Sequence, residues 1–160
     1  MQDNIHLIRV FNMNKISIFV GSVYGNAQHV AEEVNTMFIA QGLASQVFTD
    51  PSLNDFKQAS AMLFISSTTG QGDIPPNLEF FVQDLRDQFP LMEQKPFAVA
   101  GLGDSSYGET YCGAGRQIFE LLTELQGKSI AELLEIDACE TLEPEAEVVA
   151  WAKKLLPELR

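Results

Sequence analysis

Cysteine and histidine are both scarce in this chain, with two of each among its 160 residues. The two pairs, His6 with His29 and Cys112 with Cys139, lie far apart along the chain and show none of the close spacings typical of metal ligands. Two cysteines are also too few for a disulfide-stabilised scaffold, and they agree with a reducing compartment. We therefore expect no metal site and a cytoplasmic location.

Basic residues are scarce as well, since ten Lys and Arg stand against 22 Asp and Glu, giving a net charge of −12. Nucleic acids and anionic membranes both require a basic face, so the composition argues against either as a partner. No apolar run approaches the ~20 residues of a membrane helix, and residues 1–13 lack the features of a secretory signal. An acidic surface favours docking to a basic patch on another protein, although it equally serves solubility alone.

Apolar, β-rich segments alternate with amphipathic helical patterns along the chain. The predicted strands are 15–20, 44–48, 61–65, 97–102 and 133–137. The predicted helices are 27–41, 77–89, 113–126 and 143–156. This alternation predicts a parallel sheet covered by helices on both faces. We expect residues 15–160 to form one domain. Residues 1–14 are either an N-terminal arm or an over-long start, with Met13 as the true first residue.

Ligands of open parallel sheets bind beyond the carboxyl ends of the strands, so the segments after strands one, three and four are the candidate site. The first segment, 21–27, runs directly into a predicted helix, whose N-terminal N–H groups attract anions. Gly25 lets the backbone turn around an anion, and the segment holds neither Lys nor Arg. It matches neither a Walker A loop nor a Gly-x-Gly-x-x-Gly turn. Two interpretations remain open, a phosphate-binding turn and an ordinary helix start capped by Asn26.

The other two segments, 66–76 and 102–113, are rich in glycine and hydroxyl residues. Gly70 and Gly72 allow the backbone to approach a flat ligand closely. All three tyrosines of the chain fall in the three segments, at Tyr24, Tyr107 and Tyr111. This placement favours a planar ligand stacked on an aromatic face, worth ~0.5–1.5 kcal/mol beyond simple burial.

The ordered segments resemble the FMN loops of the flavodoxin family, most of all the short flavodoxins of the MioC and YqcA type and the flavodoxin-like domains of sulfite reductase and cytochrome P450 reductase. Most of the resemblance lies in Thr68-Thr69-Gly70-Gln71-Gly72-Asp73 and Leu102-Gly103-Asp104-Ser105-Ser106-Tyr107. The likeness covers roughly residues 15–155. It implies a flavodoxin-like three-layer α/β sandwich with a five-stranded parallel sheet in the order 2-1-3-4-5, and FMN as the cofactor.

The resemblance also implies roles for individual residues. The first segment would hold the FMN phosphate, Gly70 would lie opposite the flavin N5, and Tyr107 would stack on the ring. Asp137 matches an acidic residue near the flavin in the reductase domains. The complete set implied for FMN binding is Ser22, Val23, Tyr24, Gly25, Asn26, Ala27, Thr68, Thr69, Gly70, Gln71, Gly72, Asp73, Leu102, Gly103, Asp104, Tyr107, Tyr111 and Cys112.

Three departures from the family pattern qualify this expectation. Ala27 stands where the family often has Thr or Ser, so one phosphate hydroxyl is missing. The stretch from Tyr107 to Cys112 is one residue longer than in the relatives, which leaves the positions of Tyr111 and Cys112 open. The segment 68–73 has no aromatic residue, so the second flavin face is covered by aliphatic or polar atoms, or left open.

The predicted function is a low-potential electron carrier rather than an enzyme. It would be a monomer that passes single electrons from a basic-faced NADPH-dependent flavin reductase to an unidentified acceptor protein. The main alternative is an FMN-dependent NAD(P)H oxidoreductase acting on small molecules, but the chain has neither a second Gly-rich fingerprint nor a spare domain. A phospho-acceptor signalling domain needs an acidic pair after strand one, where Gly21 and Ser22 stand. A flavin-free interaction module stays open because of Ala27.

Overall fold

A computed structural model describes residues 15–160, apart from the side chain of Tyr107. The predicted arm, residues 1–14, lies outside the described residues. Six parallel strands form one sheet: β1 Lys15–Gly21, β2 Ala44–Phe48, β3 Ala61–Ser66, β4 Pro96–Gly103, β5 Lys128–Ser129 and β6 Leu134–Asp137. The order is β2-β1-β3-β4-β5, with β6 also paired to β4. The predicted order 2-1-3-4-5 is confirmed, with the fifth position divided between two short strands.

The helices cover both faces of the sheet. They are α1 Asn26–Ala40, α2 Leu53–Gln58, α3 Pro76–Gln88, α4 Gly113–Glu124, α5 Pro144–Lys154 and α6 Leu156–Leu159, with a 3₁₀ segment over Ser105–Thr110. The four predicted helices correspond to α1, α3, α4 and α5 together with α6. Sequence reasoning missed α2, which begins with a capping box between Ser52 and Asp55.

The alternation of side chains along β1 divides the core in two. Ile16, Ile18 and Val20 pack beneath α1, α5 and α6, whereas Phe19 faces the opposite layer of α2, α3 and α4. In that second layer the ring centroids of Phe19 and Phe64 are 4.9 Å apart. Every residue of β3 is buried, as an apolar strand covered on both faces should be. The result is the three-layer sandwich that the alternating pattern predicted.

The connections determine where a site can form. Each of the main helices runs back antiparallel to the strands, so the carboxyl ends of the strands and the first turns of α1, α3, α4 and α5 meet at one edge. This edge carries the three segments singled out from the sequence. Within the described part of the chain, none of the helices combines the length and apolar character needed to cross a membrane.

Candidate ligand-binding site

A cavity of about 660 Å³ opens at the carboxyl edge of the sheet. Its volume falls within the ~300–1,000 Å³ of ordinary ligand pockets. All three predicted segments contribute to its wall. The predicted site residues that line it are Val23, Tyr24, Asn26, Thr68, Thr69, Gly70, Leu102, Gly103, Asp104, Tyr111 and Cys112.

The remaining predicted residues lie near the cavity without lining it. They are Ser22, Gly25, Ala27, Gln71, Gly72 and Asp73, while the side chain of Tyr107 is outside the described part of the structure. Ala27 is fully buried in the core beneath α1. Its methyl group therefore contributes to the core and not to the cavity wall.

The first segment is a tight turn built on Gly25. This residue is the N-cap of α1 and has a φ of 88°, in the left-handed region that favours glycine. Its N–H donates to the Ser22 hydroxyl at 3.0 Å, so the two residues shape the turn. The N-terminus of α1 then faces the cavity through Asn26, with Tyr24 at the rim. A helix start in this position is an anion-binding arrangement.

Asn77 fixes this turn in place, and sequence reasoning did not identify it. From the first turn of α3, its Oδ1 accepts a hydrogen bond from the Ser22 N–H at 3.0 Å. Its Nδ2 donates to the carbonyl oxygens of Val20 at 2.7 Å and Thr49 at 2.9 Å. One amide side chain thus joins the ends of β1 and β2 to α3. These contacts span up to 57 residues of sequence, which is why no local pattern reveals them.

The second segment folds into a small hairpin between Thr69 and Asp73. Their backbones exchange two hydrogen bonds, with N···O distances of 3.0 and 2.7 Å. Gly70 and Gly72 both have positive φ, 52° and 88° respectively, as the turn requires. A Cβ at Gly70 would lie 2.7 Å from Asp73 Oδ2. The hairpin presents Thr69 and Gly70 to the cavity.

The hairpin is held against the start of α4. The Gln117 side chain donates to the Gly72 carbonyl at 2.7 Å, and the Ala114 N–H donates to Thr68 Oγ1 at 3.3 Å. Gly113 and Gly72 approach so closely that a Cβ on Gly113 would lie 2.6 Å from Gly72 Cα. The contact depends on the absence of a side chain at Gly113. Gly72 therefore acts through backbone shape, although it does not line the cavity.

The third segment brings Tyr111 and Cys112 to the wall, which answers the question that the sequence left open. Cys112 is fully buried, and burial raises the pKa of its thiol to about 11, so the group stays protonated. Burial also raises the pKa of Tyr111. The guanidinium of Arg116 lies 5.8 Å from the Tyr111 ring centroid and forms an ion pair with Glu135 at 2.8 Å.

Asp137, which the resemblance places near the flavin, lies between the lining residues Ile136 and Ala138. It does not line the cavity. Its Oδ1 accepts hydrogen bonds from the N–H groups of Ser105 at 3.0 Å and Cys139 at 2.9 Å. These bonds, led by Ser105, lower the pKa of the carboxyl. Asp104 in turn accepts from Ser106 N at 2.9 Å and from the Cys139 thiol at 3.0 Å, and these bonds lower its pKa as well.

This cluster brings together groups that the sequence separates widely. One potential metal-ligating atom from each of Asp104, Asp137 and Cys139 lies within 4.8 Å of the others. The carboxylates, however, already accept hydrogen bonds from protein N–H and hydroxyl groups. The cluster is a hydrogen-bonded junction between the loops after β4 and β6.

Sequence reasoning also missed part of the cavity wall. The additional lining residues are His29, Ser67, Pro76, Thr110, Ile136, Ala138, Thr141, Pro144 and Glu145. Most belong to the end of β6, the loop after it, or the first turns of α1, α3 and α5. The rule that ligands bind beyond the carboxyl ends of the strands (the strand-end rule) identifies the group from 136 to 145 when it is applied to the fifth strand as well.

Comparison with known proteins relates this geometry to one family. Residues 18–151 match the family model described as Flavodoxin. The flavodoxin YqcA of Escherichia coli is 40% identical over 144 residues, which cover 89% of this chain and 96% of that protein.

Solved structures agree with this assignment. A cysteine-to-alanine variant of the flavodoxin from Pseudomonas aeruginosa is 39% identical and covers 91% of this chain and 98% of its own, with a TM-score of 0.85. The Fusobacterium nucleatum flavodoxin, solved with flavin mononucleotide bound, has the same fold with a TM-score of 0.76 at 14% identity, covering 91% of this chain and 99% of its own.

Proposed function

This chain belongs to the flavodoxin family of FMN-binding electron carriers, and from that premise we propose that it shuttles single electrons at low potential between two proteins. The donor is a basic-faced NADPH-dependent flavin reductase and the acceptor is a second protein. The observation that carries the proposal is the cavity at the carboxyl edge, with a helix N-terminus at one side and glycine-rich loops at the other.

The residues present fit FMN. The turn before α1 offers backbone N–H groups and Asn26 to a terminal phosphate, in keeping with the anion preference of a helix N-terminus. Thr68, Thr69 and Gly70 supply polar atoms and exposed backbone along one side of the cavity, and Leu102 with Tyr111 supplies apolar surface on another. Pockets of this size combine apolar walls with a few placed polar groups in the same way. FMN supplies one-electron transfer when bound.

Acidic side chains near the cavity would keep the reduction potential of bound FMN low. Asp104 and Glu145 line the wall, and they oppose the negative charge that enters with each electron. One carboxylate at ~10 Å and an effective dielectric constant of ~20 contributes ~1.7 kcal/mol, roughly 70 mV, before salt screening. Arg116, which reaches the same end of the domain, is paired with Glu135 and offsets little of this charge.

Basic residues are distributed unevenly between the two ends of the domain. The loops that follow the five sheet positions, 22–25, 49–52, 67–75, 104–112 and 138–143, contain six acidic residues and no Lys or Arg. Basic residues gather at the opposite edge, where strands begin and helices end. Those with this placement among the described residues are Lys15, Lys57, Arg86, Lys95, Lys128, Lys153, Lys154 and Arg160. The molecule therefore approaches a basic partner with the cavity end first.

Apolar side chains at the same end provide contact surface for a partner. Tyr24 is 92% exposed and Leu142 is 97% exposed, and both lie beside cavity-lining segments. Exposed apolar groups ringed by charge are typical of protein-interaction sites. We propose that this rim contacts donor and acceptor in turn. The proposal includes a monomeric protein in the cytoplasm, where its two free cysteines stay reduced.

The test is electron transfer from an NADPH-dependent flavin reductase to the FMN-loaded protein, measured against ionic strength. The paired variant Asp73→Asn, Glu109→Gln neutralises two exposed acids at the cavity end. Its matched control, Asp87→Asn with Glu124→Gln, removes the same charge near the ends of α3 and α4. We expect the first variant alone to slow transfer at low salt and flatten the salt dependence. The Debye length shrinks from ~30 Å at 0.01 M to ~8 Å at 0.15 M, so the unmodified protein should slow steeply over this range.

Two outcomes contradict the proposal. If both paired variants behave alike, the acids at the cavity end do not guide the partner. If the isolated chain oxidises NADPH with a small-molecule acceptor and no protein partner, it is an oxidoreductase in its own right.

A further inference from the structure

His29 is the one side chain on the cavity wall that can carry a positive charge, within residues 15–160. The wall otherwise holds two carboxylates, Asp104 and Glu145, and neither Lys nor Arg. An anionic ligand in this cavity thus meets backbone dipoles, acidic side chains and a single imidazole. Histidine is the side-chain type that ordinarily changes charge between pH 5 and 8.

His29 lies at the end of the cavity next to the turn before α1, where the FMN phosphate is proposed to bind. It lies one turn into α1, and its backbone N–H donates to the backbone carbonyl of Gly25, the N-cap, at 2.9 Å. Tyr24 and Asn26, at the start of the same helix, line the same cavity. A cation near a helix N-terminus is unfavourable on its own, because the positive end of the helix dipole repels it. An anion bound at that helix start removes this penalty.

Glu145, in the first turn of α5, lies next to His29. The distance between His29 Nε2 and Glu145 Oε1 is 3.6 Å, with the side chains 58% and 36% exposed. The other charged groups nearby are also acidic: Glu32 and Glu33 follow on α1, and Glu140 and Glu143 precede α5. The strands beneath α1 contribute buried apolar side chains. Glu145 is therefore the carboxylate that His29 contacts, and the charges next along α1 and before α5 have the same sign.

We propose that His29 is a specificity-determining residue for the phosphate of FMN, and that Glu145, whose Oε1 lies 3.6 Å from His29 Nε2, competes with the phosphate for the charge of the imidazole. The inference rests on the proposed FMN site. When protonated, His29 offsets the charge of the phosphate and of Glu145 together. When neutral, it leaves the Glu145 carboxylate and the phosphate to repel each other. FMN binding then carries a proton-dependent component that riboflavin, which lacks the phosphate, does not share.

The test measures dissociation constants for FMN and riboflavin by flavin fluorescence from pH 5.5 to 8.5, at constant low ionic strength. The variants are His29→Gln, Glu145→Gln and the double variant, with Asp84→Asn, on the exposed face of α3 at the other side of the sheet, as the charge control. We expect His29→Gln to weaken FMN binding about threefold to fivefold at pH 5.5, the scale of a partly exposed ion pair, and to have little effect at pH 8.5. Glu145→Gln should strengthen FMN binding at pH 8.5. Riboflavin binding should not change in any variant.

The phosphate also gains a proton as the pH falls over this range. The informative quantity is therefore the difference in the FMN dissociation constant between each variant and the unmodified protein at the same pH. An unchanged FMN dissociation constant for His29→Gln at pH 5.5 overturns the inference. An equal loss for FMN and riboflavin also overturns it, because a general distortion of the site then explains the effect. If the unmodified protein binds riboflavin and FMN equally weakly, the proposed function fails first. If the unmodified protein binds FMN tightly and His29→Gln binds FMN equally tightly, only this inference fails.

Discussion

The Asp137 carboxylate accepts a hydrogen bond from the Ser105 backbone N–H at 3.0 Å, across 32 residues of sequence. The same oxygen accepts from Cys139 N at 2.9 Å. One charged group therefore holds together the loops that follow β4 and β6, and both loops contribute to the cavity wall. Hydrogen bonds to an ionised acceptor are roughly twice as strong as neutral ones. We therefore expect Asp137 to position the third segment, 102–113.

Replacing Asp137 with Asn tests this role. The amide keeps an acceptor oxygen but loses the charge, so we expect the Tm to fall by about 2–4 °C, the scale of one weakened interaction in a domain of this size. FMN affinity should fall as well, because the loop after β4 becomes less well fixed. Asp84→Asn, on the exposed face of α3, is the control of equal charge. Unchanged FMN affinity in Asp137→Asn contradicts a positioning role.

The same carboxylate makes stability depend on pH. Hydrogen bonding holds the pKa of folded Asp137 below the ordinary value of 3.8. The unfolded chain therefore binds the proton more readily, and the stabilisation is present above that ordinary value. It is lost as the pH falls through the lowered pKa of the folded state. In Tm measurements from pH 2.5 to 7, the difference between the unmodified protein and Asp137→Asn should shrink at the acid end; a constant difference argues against ionisation as the cause.

Gly25→Val should abolish retention of FMN through a desalting column. No atom of the described residues lies within 4 Å of a Cβ built at this position, so the effect comes from the backbone, whose φ is 88°. A β-branched residue in this conformation costs about 1–2 kcal/mol, and the turn is expected to relax. Gly42→Val is the matched control, since Gly42 has a φ of 82°, open surroundings, and a position beyond the other end of α1. Both variants should lose similar stability. Loss of FMN from both would mean that general destabilisation, not the shape of the turn, explains the result.

Gly113→Ala should displace the hairpin of residues 69–73. The added methyl group meets the backbone of Gly72, which cannot rotate away as a side chain can. We expect weaker FMN binding together with a lower Tm. Gly115→Ala crowds the same helix against Gly101 of β4, with a closest approach of 3.0 Å, and leaves the hairpin contact alone. Equal losses of FMN affinity in the two variants would argue against a role for the hairpin.

A chain that begins at Met13 should fold and bind FMN like the full-length protein. Among residues 15–160, the core begins at Ile16, and both core clusters lie within residues 16–159. Thermal unfolding and FMN titration of both forms provide the measurement. A lower Tm or weaker binding in the short form would assign residues 1–13 to the folded domain.

The sequence predicted the sheet because each core strand is an apolar run bounded by glycine or polar residues. β3, for example, is apolar from Ala61 to Ile65 and buried throughout. β5 could not be predicted from its own residues, since Lys128 and Ser129 are exposed and pair only with the start of β4. The helix α2 left a usable signal in Ser52 and Asp55, whose spacing is that of a capping box.

Parts of the site that depend on local sequence patterns could be predicted, whereas parts that depend on contacts between distant residues could not. The strand-end rule located the segments that hold Tyr24, Thr69 and Tyr111. The Asn77 contacts with Val20 and Thr49 depend on which strands become neighbours, so they follow only from the folded sheet. The pairing of His29 with Glu145 likewise requires α1 and α5 to lie side by side.

The concentration of basic residues at the edge opposite the cavity has a consequence for the protein at solid surfaces. A cationic electrode attracts the end that carries the cavity, whereas an anionic electrode attracts the edge where Lys15 and Lys128 begin their strands. The sheet is about as long as β4, whose eight residues span about 26 Å at ~3.3 Å per residue. Adsorption in one orientation therefore places the redox group next to the conductor, and adsorption in the other places the whole sheet between them. The sign of the electrode alone should decide whether direct voltammetry detects this protein.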